Sequence, residues 1–291
     1  MFVAVHIWQY SPSHLLAGVS CGDNRRPRYT AGKATVTAWD SLGSEMEVHL
    51  NEIDSEVLGR SVLDLWEFDA ACDFSEFERA YCHKHRPVYV SCKIAAEDIV
   101  HVHLLEDHGF RFVEFQVRVY CALGKSYDVS RYGYRYELVE GGADLSAVLE
   151  IASSIFEHDR FSRDPFFRAW EGRNISGERY RRYVMKSFEA ADERVYKLVK
   201  EATSEIVGFG THRITGPESA LLLLGGIKHE YNGAGLGAIN DYFGWNELKR
   251  KGVKWLYGHA SGANYPILNL NVKGMGFRIV QCFVVLRKTY S

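Results

Sequence analysis

The chain has 291 residues, 46% hydrophobic and 25% charged, the content of an ordinary globular protein with material for about two domains. Its 35 basic and 37 acidic residues leave a formal net charge of −2, so nothing in the charge favours nucleic acid or an anionic membrane surface. Cysteines at 21, 72, 82, 92, 121 and 282 stand singly, without C-x-x-C pairs, which argues against a zinc site or a compact disulfide framework and for a reducing, cytoplasmic compartment. In chain order, Met1-Phe-Val-Ala-Val-His-Ile-Trp8 reads as a strand: it lacks the basic start of a signal peptide, and no run approaches membrane-spanning length. Arg25-Arg-Pro-Arg28 reads as a solvated loop. Residues 1–60 mix strand-like alternation with Gly, Pro and Ser turns, and Phe74–His85 reads as a helix. Cys82, His83 and His85 lie close together but have no second ligand pair, so no metal is expected. Pro87–Cys92 and Phe110–Cys121 read as strands around a short helix, and Gly124–Gly133 has the composition of a linker. Leu145, Val148, Leu149, Ala152, Ile155 and Phe156 follow the spacing of a buried helix face. Tyr196–Val199 and Ile206–Arg213, separated by Glu201-Ala-Thr-Ser204, read as a hairpin.

The most informative stretch follows. Leu221-Leu-Leu-Leu-Gly-Gly-Ile227 is a buried strand that runs through Lys228-His-Glu-Tyr-Asn-Gly-Ala-Gly-Leu-Gly237 into a helix ending near Lys251-Gly252. Glycines at 233, 235 and 237 let a ligand approach the backbone, and the first amides of a helix are unpaired and electropositive, so the segment suits a diphosphate. Ala238-Ile239 stands where a nucleotide triphosphatase needs Lys and Ser or Thr. The dinucleotide pattern G-x-G-x-x-G/A is met, but the region around Val253 offers no acidic residue for a ribose. Val253–His259 then reads as another strand.

The chain also repeats itself. Gly109-Phe-Arg-Phe-Val-Glu aligns with Gly276-Phe-Arg-Ile-Val-Gln at an offset of 276 − 109 = 167 residues, and the match runs back without a gap to Val88 and Trp255. One strand–helix–strand unit is therefore duplicated. The copies are unequal, because the position matching Asn232 is Leu65, with no glycine loop nearby.

Asn232-Gly-Ala-Gly-Leu-Gly237 resembles motif A of the GNAT N-acetyltransferases, Q/R-x-x-G-x-G/A, with Asn232 replacing Q/R. The stretch from Asn264 to Gly276-Phe277 resembles their motif B, with Asn271 where the family has a Tyr and one extra residue before Gly276. Asp54-Ser-Glu-Val-Leu-Gly59, Val90–Asp98 and Leu105–Glu114 are similar to the N-terminal half of the TDP-fucosamine acetyltransferases, and Phe156-Glu-His-Asp-Arg-Phe161 to the segment after that family's first helix, with Asp159 for Ser. The likeness begins near residue 45. It implies an α/β (α+β) tandem GNAT fold, each domain a mixed central sheet flanked by helices. A truncated GNAT-like domain would span 1–125, a linker 126–135 and a complete acetyltransferase domain 136–291.

The resemblance also implies chemistry. Acetyl-CoA would be the acyl donor, with no metal, held by Ile227, His229, Asn232, Gly233, Ala234, Gly235, Leu236, Gly237 and Asn264. The Ile227 backbone amide would face the thioester oxygen, and Asn271 would occupy the place of the usual Tyr acid, although an amide gives up no proton at neutral pH. Arg160, Phe161 and Arg163 lie where the family binds its acceptor; the aromatics Phe156, Phe161, Phe166, Phe167 and Trp170 either stack on an acceptor or belong to the core. His158, His229 and Glu230 are candidate bases. The expected partner is a small amine, above all a nucleotide-linked amino sugar, with no nucleic acid and no membrane, and a homodimer is admissible. The alternatives are a weakened GNAT-like acyl-CoA sensor or scaffold and a protein or peptide N-acetyltransferase.

Overall fold

A computed structural model describes residues 35–39, 45–156, 159–170, 172–233 and 235–290. The reading of Met1–Trp8 as a strand, the Arg25–Arg28 loop, Cys21, His158 and Ala234 fall outside them. The first part of the chain runs β1 (Thr35–Trp39), β2 (Glu45–Leu50), α1 (Glu52–Leu58), β3 (Val62–Phe68), α2 (Phe74–Phe77), α3 (His83–His85), β4 (Tyr89–Ala95), α4 (Ile99–Asp107) and β5 (Arg111–Ala122). The second runs β6 (Tyr134–Leu138), α5 (Gly142–Ser154), α6 (Arg160–Arg163), α7 (Ile175–Glu189), β7 (Glu193–Lys200), β8 (Glu205–Gly216), β9 (Ser219–Ile227), α8 (Leu236–Arg250), β10 (Trp255–Ser261), α9 (Tyr265–Asn269) and β11 (Arg278–Thr289). Asn and Asp side chains start most helices by accepting the first free amides: Asn51 for α1, Asp98 for α4, Asp159 for α6 and Asn174 for α7. The expected helix over Phe74–His85 forms, with a π-helical turn at Glu78–Cys82 between α2 and α3.

The eleven strands among the described residues join one mixed sheet in the order β1-β2-β3-β4-β11-β5-β10-β9-β8-β7-β6. The duplication is visible in it, since β5 and β11 cover equivalent residues at the 167 offset. They pair antiparallel with Gln116 opposite Phe283, a pair separated by the repeat offset itself (283 − 116 = 167), so a pseudo-twofold axis passes there. The copies exchange strands. β11 lies between β4 and β5, and β5 lies between β11 and β10, each filling the other copy's sheet.

Helices cover both faces. On one, α5 and α7 bury Val148, Ala152, Tyr180 and Val184 against Phe209, Leu221 and Leu223. On the other, α2–α4 cover the first copy around Leu65, Cys92, Leu105 and Phe110, while α8 covers the second with Trp245 and Leu248. Val117, Val119 and Cys121 of β5 pack in that second cluster, so the exchanged strand builds the core beneath α8. Phe161 and Phe167 are buried with Val57, Leu58, Val88 and Tyr89, with Phe166 and Trp170 packed against them. These aromatics form core between the two parts of the chain. Phe156 lies in the α5–α7 core.

A buried ion pair crosses the same boundary. Arg179 of α7 donates from Nε to Asp54 Oδ1 of α1 at 2.5 Å, and the Tyr89 hydroxyl donates to Asp54 Oδ2 at 2.9 Å. The Arg179 guanidinium also lies over the rings of Phe161 and Tyr183. Cys72, Cys82, Cys92, Cys121 and Cys282 are free thiols. Among the described residues no helix is long and apolar enough to cross a membrane, and no group of three or more His, Cys, Asp or Glu side chains is placed to hold a metal.

Candidate active site

β9 and β10 begin as parallel neighbours and then separate. Their ladder joins Ser219–Leu221 to Trp255–Tyr257 and stops. β10 stays bonded to β5 along its whole length, while β9 follows β8, so a V-shaped gap opens between Leu222–Ile227 and Gly258–Ser261. β9 also carries an extra residue against β8 between Leu222 and Gly225. The Thr211 hydroxyl satisfies this bulge by accepting from Leu224 N at 2.8 Å and donating to Leu224 O at 3.0 Å.

The backbone at the end of β9 faces the gap. Lys228 N donates to Val207 O at 2.9 Å, and Ile227 stands opposite Gly208. Successive residues of a strand aim their amides to alternate sides, so the amides of Ile227 and Gly225 turn away from β8 and into the V. The chain then passes through a 3-10 turn at His229–Tyr231 to Gly235, whose φ of 73° is the left-handed conformation glycine adopts freely. Gly235 caps α8 without a side-chain hydrogen bond, so the first amides of α8 look back into the loop, and a Cβ at Gly233 or Gly235 would meet nothing within 4 Å. The equivalent loop of the first copy is filled and acidic. There Asp73 takes the amides of Ser75 and Glu76, and Asp69 takes that of Ala71.

The residues singled out in the sequence fall in three places. Ile227, Leu236 and Gly237 are buried at the junction of β9 and α8, beside Asn232, Gly233 and Gly235. His229 bonds the Ser154 carbonyl through Nε2 at 2.8 Å and approaches the Asn232 amide nitrogen at 3.4 Å, while Glu230 is exposed. Across the gap, Asn264 caps α9 by accepting from Ile267 N, so its side-chain oxygen serves the helix. Asn271 is buried in a π-helical turn over Leu270–Gly274, which accommodates the extra residue before Gly276. On the opposite face of the sheet Arg160 is buried over the Phe161 ring, and Arg163 is exposed.

Two groups of polar residues escaped the sequence reading. The first is a stripe on the sheet face away from α8 and α9: Glu114, Gln116 and Arg118 of β5, Lys93 of β4 and His259 of β10. The fully buried Gln116 donates to Glu114 Oε2 at 2.8 Å. His259 lies beside Phe283, and burial, then the Lys93 and Arg118 charges, hold its pKa well below the ordinary histidine range. The alternation Glu114-Phe-Gln116-Val-Arg118 carried the signal, since a strand covered on both faces is otherwise nearly continuous in apolar residues. At one end of this face Asp64 accepts from Ser91 Oγ at 2.7 Å and from Asn51 Nδ2 at 2.9 Å, and burial, more than the nearby Asp54 charge, pushes its pKa up to about 7. A carboxyl raised on folding contributes stability that is full at low pH and lost as pH rises through the folded pKa. Asp64→Asn is therefore expected to gain on the wild type by a few kcal/mol between pH 4 and pH 8, read from urea midpoints; Ser91 can turn its hydroxyl to accept from the new amide.

The second group lines a cavity of about 40 Å³ on the α8–α9 side of the gap. Leu222–Gly225 and Gly258 form its wall along the V, Ile267, Asn271 and Phe277 its far side, and Tyr136, His212, Asn240, Asp241 and Trp245 its floor. Room for the Tyr136 hydroxyl comes from two glycines: a Cβ at Gly210 would stand 2.5 Å from it, and one at Gly244 3.2 Å.

The splayed strands, bulge, glycine loop and helix define a class, and comparison with known proteins agrees. No protein-family profile matches the chain, and no curated protein does. Among solved structures, a GCN5-related N-acetyltransferase from Sphaerobacter thermophilus superposes with a TM-score of 0.60 at 16% identity, over 90% of this chain and 82% of that one. A glucosamine N-acetyltransferase region of a fungal multi-domain GH3 β-N-acetylglucosaminidase gives 0.60 at 10% identity, over 87% of this chain and 32% of that one. The fold is that of the GNAT acetyltransferases. More narrowly it is their tandem form: a tandem GNAT protein from the clavulanic acid biosynthesis pathway aligns at a TM-score of 0.55 and 14% identity, over 86% of this chain and 81% of that one.

Proposed function

We propose that the chain is an acyl-CoA-dependent N-acetyltransferase with one active site, in the V between β9 and β10. The observation that carries this reading is the gap itself, with the Gly225 and Ile227 amides turned into it and the uncapped N-terminus of α8 at its mouth. The loop Asn232–Gly237 and the first amides of α8 hold the pyrophosphate of acetyl-CoA, and the two strand amides receive the thioester oxygen. Charge develops on that oxygen as the amine attacks, and one preorganised donor of this kind contributes about 3 kcal/mol. The acceptor approaches from the face bearing Lys93, Glu114, Gln116, Arg118, His259 and Arg160. Held neutral, His259 is in the form that accepts the proton the amine releases.

The acceptor in this reading is a nucleotide-linked amino sugar. The resemblance to the TDP-fucosamine acetyltransferases supports it, as does the fold shared with a glucosamine N-acetyltransferase region. The unequal loops of the two copies set the stoichiometry. Calorimetric titration is expected to give one acetyl-CoA per chain, and two equivalent sites would overturn the assignment. A panel of amines including nucleotide-linked amino sugars then tests the reaction: transfer to a peptide alone would replace the sugar, and tight binding with no transfer would make the protein an acyl-CoA sensor.

A further inference from the structure

Collapse of the tetrahedral intermediate breaks the C–S bond and leaves the electron pair on sulfur, which needs a proton to depart as a thiol. A thioester seated on the Gly225 and Ile227 amides has the cavity of the preceding section along one flank, because Leu222–Gly225 and Gly258 are walls of both. Three titratable groups line that cavity: Tyr136 from β6, His212 from β8 and Asp241 from α8; β9, β10, β11 and α9 present none. Tyr136 is held protonated, its pKa pushed well up by burial and by the Asp241 charge, and His212 is pushed down to about 4, chiefly by burial, so neither changes state at neutral pH. Asp241 differs from both. It is half-buried, lining the cavity with no hydrogen-bond partner among the described residues, so its carboxyl gives up part of its water without a protein group in exchange. Three polar atoms of residues on the same floor, His212 Nε2, Asn240 Oδ1 and Trp245 Nε1, are buried without a protein partner. Polar groups around a cavity large enough for water give a bound water the partners it needs, and with them a path from Asp241 toward the V.

We infer that Asp241 is the proton donor to the departing thiolate, directly or through a cavity water. The inference rests on the acyl-CoA reading of the V. The proton passes from the Asp241 carboxyl to sulfur; the carboxylate left behind is reprotonated from solvent, into which His259 releases the proton it took from the amine, so the reaction balances. Burial pushes the Asp241 pKa up to about 7, which keeps a large fraction of the acid form at neutral pH.

The test is Asp241→Asn, which keeps the shape and the neutral state and so should fold. With acetyl-CoA, kcat is expected to fall at least tenfold at pH 7, while the KM for acetyl-CoA and the calorimetric affinity for coenzyme A stay within a few-fold. In the wild type kcat should decline as pH rises through about 7, because the acid form is consumed, and this descending limb should vanish in the variant. An aryl thioester, whose acidic thiol leaves without a proton, should be used equally by both proteins. A readout independent of turnover is the infrared C=O band of a protonated carboxyl, expected in the wild type near neutral pH and absent from Asp241→Asn. Unchanged kcat with an unchanged pH profile overturns the inference and leaves the acyl-CoA site standing. Absence of any acyl-CoA binding by the wild type overturns both.

Discussion

Gly235→Asp is expected to remove measurable coenzyme A binding, a loss of at least 100-fold in calorimetric affinity, at unchanged circular dichroism. The expectation follows from the place where the side chain would emerge. A Cβ at 235 enters open space at the mouth of the α8 N-terminus, so the fold has little to object to beyond a left-handed φ that Asp tolerates better than most residues. The added carboxylate would lie where, on the proposed function, the helix amides take the pyrophosphate, both blocking it and repelling it. A 100-fold loss corresponds to about 2.7 kcal/mol, less than the removal of several charge-assisted bonds would cost. Affinity within threefold of the wild type would mean that the glycine loop holds no pyrophosphate, and the acyl-CoA reading would fall with it.

Asp54→Ala should cost about 3–5 kcal/mol of folding stability, because it leaves the Arg179 charge buried without its carboxylate. Arg179 is 2% exposed and Asp54 1%, so water cannot replace the lost partner. Urea denaturation measures the loss. The double variant Asp54→Leu, Arg179→Met should be more stable than either single truncation, since an apolar pair of similar volume avoids desolvating two charges. If Asp54→Ala costs under 1 kcal/mol, the pair does not hold α1 against α7, and the contact rests on the exposed pairs Arg182–Glu56 and Lys186–Glu52 and on the cluster of Phe161, Phe167 and Tyr89.

Much of the fold was legible because its signals are local. The glycine loop, the hairpin of β7 and β8, the apolar face of α5 and the 167-residue repeat depend on neighbours in sequence, and each stands where the pattern puts it. The same repeat hid the exchange of β5 and β11. Two identical strand registers satisfy an intact half and a swapped half equally well, and the choice lies in tertiary pairing. The site divided along the same line. In the candidate site, Ile227 and the loop were legible as a strand end leading into a glycine turn because glycines at 233, 235 and 237 mark that turn in the sequence itself. The aromatics after Phe156 were ambiguous, and their burial against Val57 and Tyr89 makes them core. Asn240 and Asp241 went unnoticed because polar residues on a helix read as solvent-facing until the opposing strands are known. The His259 stripe was missed because its other four residues, Lys93, Glu114, Gln116 and Arg118, come from the copy that carries no glycine loop.

The exchange sets an order of assembly. On the ribosome β4 and β5 emerge long before β11, yet they are not neighbours in the finished sheet; β11 must pass between them. Until it does, β4 and β5 each have an edge that the repeat lets them close on one another, and β11 must displace that pairing to reach its place. The two copies thus share their central strands, and the closing step is the insertion of β11, the last strand in sequence among the described residues. A chain ended before Arg278 would lose the strand that separates β4 from β5, so both halves of the sheet would have to re-pair at once.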